Sequence, residues 1–184
     1  MLILHHDYPS AGSLRAVLAL HDLAERGADV TFHGLDVLGV ATALPATLDD
    51  LQDWARHRDA LAELGWHLPR PRRHPATLAA HVVERACPDP ATATAWRLAA
   101  YRAHWVEGRD LGDWDVLVDL ATGVGMDAAA VGELVADRVH AAQVRRQMIA
   151  VRGDGVGGVP VLDVHGTKVS PFMASEDLAT LVAL

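Results

Sequence analysis

The residues best suited to chemistry lie within the first thirteen positions. Ser10 and Ser13 stand three apart in Asp7-Tyr8-Pro9-Ser10-Ala11-Gly12-Ser13. They fall where an apolar, strand-like run (Met1 to His6, MLILHH) meets a helical one, SLRAVLALHDLAERG. A strand that runs straight into a helix leaves several backbone N–H groups unpaired at the junction. Those groups and the helix dipole favour an anion or a thiolate. A serine hydroxyl there adds one donor. It is not ionised near neutral pH and forms no disulfide, so it cannot perform dithiol exchange, which needs an attacking thiolate and a second, resolving thiol. The plainer role for Ser10 is an N-cap, worth about 1 kcal/mol.

Other reactive side chains give weaker signals. Cys87 is the only cysteine, which excludes an internal disulfide and a Cys-based metal site. In ERACPDP, at a helix end, it reads as a small packed hydrophobe. Eleven histidines invite a metal. However, His5 and His6 point to opposite faces of a strand, His57, His67, His74 and His81 are spread over different elements, and no His-Glu-x-x-His pair occurs. No metal is expected. Serines and histidines are present, but their proximity cannot be read, so no Ser-His-Asp set is assigned. Gly153 to Gly158 spells G-x-G-x-x-G but follows a helix and precedes a strand, the reverse of the dinucleotide context, so no nucleotide is expected. Arg152-Gly153-Asp154 reads as a glycine-rich turn. The one basic cluster, Arg70, Arg72, Arg73 and His74, lies among prolines and reads as a solvated loop, with an anion or partner contact as the other reading.

Composition narrows the function class. The chain is 51% hydrophobic with a formal net charge of −8. The acidic balance argues against nucleic acid as a partner. No run of about 18 apolar residues proposes a membrane span. No charged leader precedes an apolar stretch, and a cytoplasmic location is expected.

The elements that must position the serines are legible in order. After the first helix, Gly27 ends it and Ala28 to Leu38 alternates like a strand, giving a β-α-β unit with a right-handed crossover. From Thr47 to about Arg152 every periodic stretch is helical. Thr47 with Asp50 resembles a capping box, and Asp113, Asp127 and Asp137 each precede a helical run. Helices are expected at about 76–86 and 91–107, bounded by prolines. Strands return at Val159 to Val164, with a turn at His165-Gly166-Thr167 and an antiparallel partner at Lys168 to Ser170. Ser175 caps a last helix.

Three stretches carry a resemblance. Asp7 to Ser13 looks like the Asp-Phe-x-Cys-Pro-x-Cys segment of the DsbA-like branch of the thioredoxin superfamily, with both cysteines replaced by Ser10 and Ser13. Tyr101 to Asp110 resembles that branch's Phe-Arg-Ala-Tyr-Phe-x-Glu-Gly-Arg-Asp stretch. Gly157-Gly158-Val159-Pro160-Val161 resembles its Gly-x-Gly-Val-Pro-Thr loop, which carries a cis-proline. The fold implied is α/β and thioredoxin-like (βαβ…ββα), with residues 1–39 and 153–184 forming the thioredoxin domain and 40–152 an inserted all-helical domain. Segment 51–71 further resembles the hydroxychromene carboxylate isomerases and kappa-class glutathione transferases, which carry Ser at the first position. There, Ala11-Gly12 replaces the usual Pro-aromatic pair.

What that resemblance implies is a small thiol or thiol conjugate (glutathione, mycothiol or another) bound between Ser10, the Val159-Pro160 loop and the inserted helices. Ser10 would stabilise the thiolate, the backbone of Val159 would pair with the ligand's peptide part, and Ser175-Glu176 would meet a γ-glutamyl group. Tyr8 would line the groove, and Ser13 would be mostly a cap. Thiol-dependent isomerisation or transfer is the implied reaction. The alternative is a redox-inactive scaffold that binds a peptide or protein partner in the same groove. Polarity around Ser10 separates the two readings.

Overall fold

The computed structural model describes residues 2–173, 177, 180 and 181. Its framework is a four-stranded sheet of order β2-β1-β5-β6, made of β1 (Leu2–His6), β2 (Val30–Gly34), β5 (Val161–Val164) and β6 (Thr167–Val169). β1 pairs in parallel with β2, from Leu2 opposite Val30 to His6 opposite Gly34. It pairs antiparallel with β5, His5 opposite Val161. Helix α1 (Ala11–Glu25) makes the crossover between β1 and β2. The fold is thioredoxin-like, as the sequence implied.

Six further helices separate β2 from β5 among the described residues: α2 (Leu48–Glu63), α3 (Leu78–Arg85), α4 (Pro90–Trp105), α5 (Trp114–Gly123), α6 (Ala128–Ala136) and α7 (Arg138–Gly153). Their starts follow local chemistry. The Thr47 hydroxyl accepts from the Asp50 N–H while the Asp50 carboxylate accepts from the Thr47 N–H, a complete capping box. Asp89, Asp113, Asp127 and Asp137 cap α4 to α7 through their carboxylates. One element breaks the all-helical expectation. β3 (Leu44–Pro45) and β4 (Arg73–His74) form a two-residue antiparallel ladder. It is too short to alternate in sequence, and two of its four residues are proline and arginine.

The sheet and the insertion share one core. Leu2, Leu4, Leu14, Val17, Leu20 and Leu162 from the sheet side are buried in one cluster with Leu61, Trp96, Tyr101, Trp105 and Leu117 from the helices. Burial of each such side chain contributes about 1.5–3 kcal/mol. No helix among the described residues is long and apolar enough to cross a membrane.

Candidate functional site

β1 ends at His6, and four residues, Asp7 to Ser10, lead into α1 at Ala11. Ser10 is the N-cap residue: its backbone is extended and its Oγ accepts from the Ser13 N–H at 3.0 Å. The hydroxyl proton goes elsewhere, to Oδ2 of Asp53 on α2, at 3.0 Å. The same carboxylate oxygen accepts from the Gly12 N–H at 3.1 Å. Asp53 thus fills, from a neighbouring helix, the anion position that the α1 N-terminus creates. Its Oδ1 lies 3.5 Å from His57 Nε2, one turn further along α2.

Gly12 is what admits the carboxylate. A Cβ at that position would come within 2.8 Å of Asp53 Oδ1 and 3.1 Å of His57 Nε2. His57 is buried, its Nδ1 has no partner among the described residues, and its ring packs against Phe172 at 4.6 Å, with Arg15 over the other ring. Burial, with help from Arg15 and Arg56, lowers the His57 pKa against the pull of Asp53. The site is therefore a hydroxyl, a carboxyl group and an imidazole biased towards its neutral form, in that order. Proximity of Ser, Asp and His, unreadable from sequence, is real here, but the carboxylate stands between the other two. The imidazole cannot take the Ser10 proton, so this is not a serine-hydrolase triad.

The antiparallel register brings the Val159-Pro160 segment beside the end of β1 from which the chain turns into α1. The Val159–Pro160 peptide is cis. Both residues are half-buried, and the Val159 N–H and C=O make no backbone hydrogen bond among the described residues.

The structure buries both Tyr8, expected to line the groove, and Ser13, expected to be mostly a cap beside it. Tyr8 does not line a groove: it is fully buried, and its hydroxyl donates to Glu84 Oε2 at 2.7 Å and accepts from Trp96 Nε1–H at 3.1 Å. Ser13 is also fully buried, its Oγ accepting from the Asp7 N–H at 3.3 Å, so it is a local brace. Ser175 and Glu176 lie outside the described residues. His74, grouped by sequence with a solvated loop, is buried with Nδ1 2.9 Å from Asp50 Oδ1. Cys87 is half-buried; its thiol donates to the Val83 carbonyl, and burial pushes its pKa up to about 11. It supplies no thiolate at neutral pH.

Beneath the turn lies a second polar cluster, wholly buried and not anticipated. Glu84 on α3 accepts from Arg97 Nε–H at 2.6 Å and from Tyr8, and lies 3.2 Å from His6 Nε2. His81 Nε2 lies 3.0 Å from Asp7 Oδ1, whose other oxygen accepts from the Val37 N–H. Burial alone would lower the His81 pKa, but Asp7 and Glu84 carry it up to about 9. Burial alone would raise Glu84, but His6 and Arg97 hold it well below the usual range. The sequence signal was there in outline: His81, Glu84 and Arg97 lie on helix faces that are otherwise apolar. Asp53 and His57 likewise form an i, i+4 pair facing a glycine, which marks a close approach only once α2 is known to pack on α1.

Comparison with known proteins agrees with this architecture. A family model, the DSBA-like thioredoxin domain, matches residues 13–183. The chain belongs to that family. Among solved structures it is similar to a probable DsbA oxidoreductase from Streptomyces coelicolor, at 21% identity and a TM-score of 0.77, over 99% of this chain and 88% of that one. A 2-hydroxychromene-2-carboxylate isomerase matches at 19% identity and a TM-score of 0.68, over 99% and 92%. The cytosolic disulfide reductase DsbM from Pseudomonas aeruginosa, solved with GSH, matches at 21% and 0.58, over 100% and 99%. No curated protein sequence matches the chain. With a single cysteine, this member of the family lacks the Cys-x-x-Cys pair.

Proposed function

We propose that this DsbA-family protein binds a small thiol or thiol conjugate at the α1 N-terminus and uses it in isomerisation or group transfer, with no dithiol exchange of its own. The observation that carries this reading is the ordered polar set Ser10–Asp53–His57 at the family's reactive position. The surroundings of Ser10 are polar, as a small-molecule site requires, and the α1 N-terminus already holds an anion. Asp53 is a resident stand-in for the substrate's sulfur. A thiolate that displaces it would inherit the Ser10 hydroxyl and the Gly12 N–H, two donors that stabilise an anion. Asp53, 24% exposed, has room to turn outward. The ligand brings the nucleophile, and the protein brings the donors. Likeness in fold to an isomerase and to a GSH-bound reductase supports the thiol class without naming the thiol. A cytoplasmic setting belongs to the same reading.

A second reading has its own support. The Ser10 hydroxyl and the Gly12 N–H are already taken by Asp53, and the Val159 backbone makes no backbone hydrogen bond among the described residues. A redox-inactive scaffold could use that backbone to pair with an extended peptide.

Thermal unfolding against reduced glutathione, mycothiol, cysteine and their S-alkyl conjugates tests the proposal. Saturation at 100 times Kd adds about 2.7 kcal/mol to stability. A shift from one thiol that Ser10→Ala diminishes supports the enzyme. No shift from any member, with Asp53→Ala included to open the site, sinks it in favour of the scaffold.

A further inference from the structure

A cavity away from Ser10 has no part in the reading above. It measures about 520 Å³ and lies between segment 69–75, the C-terminal end of α4 and the turn at 108–110. Arg70, Arg72, Arg73 and Arg109 all line it, four of the 15 arginines in a chain of net charge −8. Pro75 and Trp105 contribute apolar wall.

We propose that this cavity binds an organic oxyanion, a carboxylate or phosphate group on an apolar body. Arg70, Arg72 and Arg73 are exposed, and their side chains have no ion pair among the described residues, although the chain carries 24 acidic residues. Three neighbouring cations repel one another unless an anion joins them, and guanidinium forks match carboxylate and phosphate oxygens. Asp110 is the acidic residue of the lining, and its Oδ1 accepts from the Gly112 N–H. Arg109 is paired with Asp119 at 2.6 Å and lies 3.7 Å from Glu107, so the unpaired charge of the lining rests on Arg70, Arg72 and Arg73.

The arginine segment is also rigid. Pro69, Pro71 and Pro75 fix φ along the arginine segment. The β3–β4 ladder pairs Pro45 with Arg73, and the Arg72 carbonyl accepts from the Ala46 N–H at 3.0 Å. Next to Arg73, the buried His74 is held on Asp50, whose capping box fixes the start of α2. The arginine backbone is thus pinned before any ligand arrives, which lowers the ordering cost of binding. The volume falls within the range of small-molecule sites. Trp105 joins the cavity to the fold, since its Nε1–H donates to the Tyr8 carbonyl at 2.9 Å.

Calorimetric titration of the full chain with naphthoate, naphthyl phosphate and neutral naphthalenemethanol tests the site. None of the probes contains sulfur, so the outcome is independent of the thiol reading. Saturable binding of either anion is expected, weakened about tenfold or more in the Arg70→Gln/Arg72→Gln/Arg73→Gln variant. The variant changes exposed side chains, and its melting temperature is to match that of the parent. Tighter binding of naphthoate assigns a carboxylate ligand, and the reverse order assigns a phosphate. Absence of binding by both anions, equal binding of the alcohol, or unchanged affinity in the variant overturns the proposal.

Discussion

Two polar clusters meet at the turn between β1 and α1, and they differ in burial and in the pairing of their charges. The inner one (His6, Asp7, Tyr8, His81, Glu84, Arg97) is buried, and its charges are paired across β1, α3 and α4. The outer one (Ser10, Asp53, His57) is half-open, with Asp53 24% exposed and its carboxylate 3.5 Å from the His57 imidazole. His81 Nδ1, 3.5 Å from Glu84 Oε2, makes no hydrogen bond among the described residues, but it lies in the interior where no ligand reaches it, and the cluster's carboxylates are already paired. The inner cluster's role is to hold the helical insertion in one arrangement on the sheet. A partly exposed carboxylate at a helix N-terminus can be exchanged for another anion. Removing a member of the inner cluster should therefore cost stability, and removing a member of the outer one should chiefly change binding.

The largest expected effect is on Glu84. Glu84→Ala leaves Arg97 buried without its carboxylate and His81 with Asp7 alone, and should destabilise by about 3–5 kcal/mol in denaturant unfolding. A loss below about 1 kcal/mol would erase the distinction between the clusters.

The pH dependence comes next. His81 is raised in the folded state from 6.5 to about 9, so its contribution is full below pH 6.5 and is lost as pH rises towards 9. His5, His21 and His104 are lowered by burial to about 4, so stability falls as pH drops from 6.5 towards 4. Melting temperature should peak near pH 6.5, and His81→Gln should flatten the alkaline limb while leaving the acid limb. An unchanged alkaline limb would mean that His81 is not charged in the core.

Gly34→Ala is expected to follow, at about 1–3 kcal/mol in the same unfolding assay. Its Cβ would fall 2.0 Å from His81 Nδ1, a buried ring with no room to shift. Smallest is Ser10→Ala, at about 1 kcal/mol for a lost N-cap. A much larger loss would place Ser10 with the structural cluster.

The sequence carried the fold further than the site. Helix starts were legible because each cap is a local event: Ser10, Thr47, Asp113, Asp127 and Asp137 act on N–H groups two or three residues away. The strands of the sheet were legible from alternation and from their apolar runs. The β3–β4 ladder was not, since two-residue strands have no period. Site geometry failed for the opposite reason to the caps. The Ser10–Asp53 bond spans 43 residues and Tyr8–Glu84 spans 76, so neither leaves a mark in local pattern. Tyr8 was misplaced because the turn resembles a groove-lining stretch, whereas its hydroxyl found a buried carboxylate contributed by α3.

The central claim is that the α1 N-terminus holds an external sulfur anion in the place Asp53 now fills. Its most direct measurement is the affinity for the best thiol of the panel, with the ultraviolet absorbance of the bound thiolate, in the parent protein, Asp53→Ala and Ser10→Ala. The account predicts tighter binding and more thiolate at neutral pH in Asp53→Ala, and weaker binding in Ser10→Ala. Equal affinity in all three, or no thiolate on binding, would contradict it.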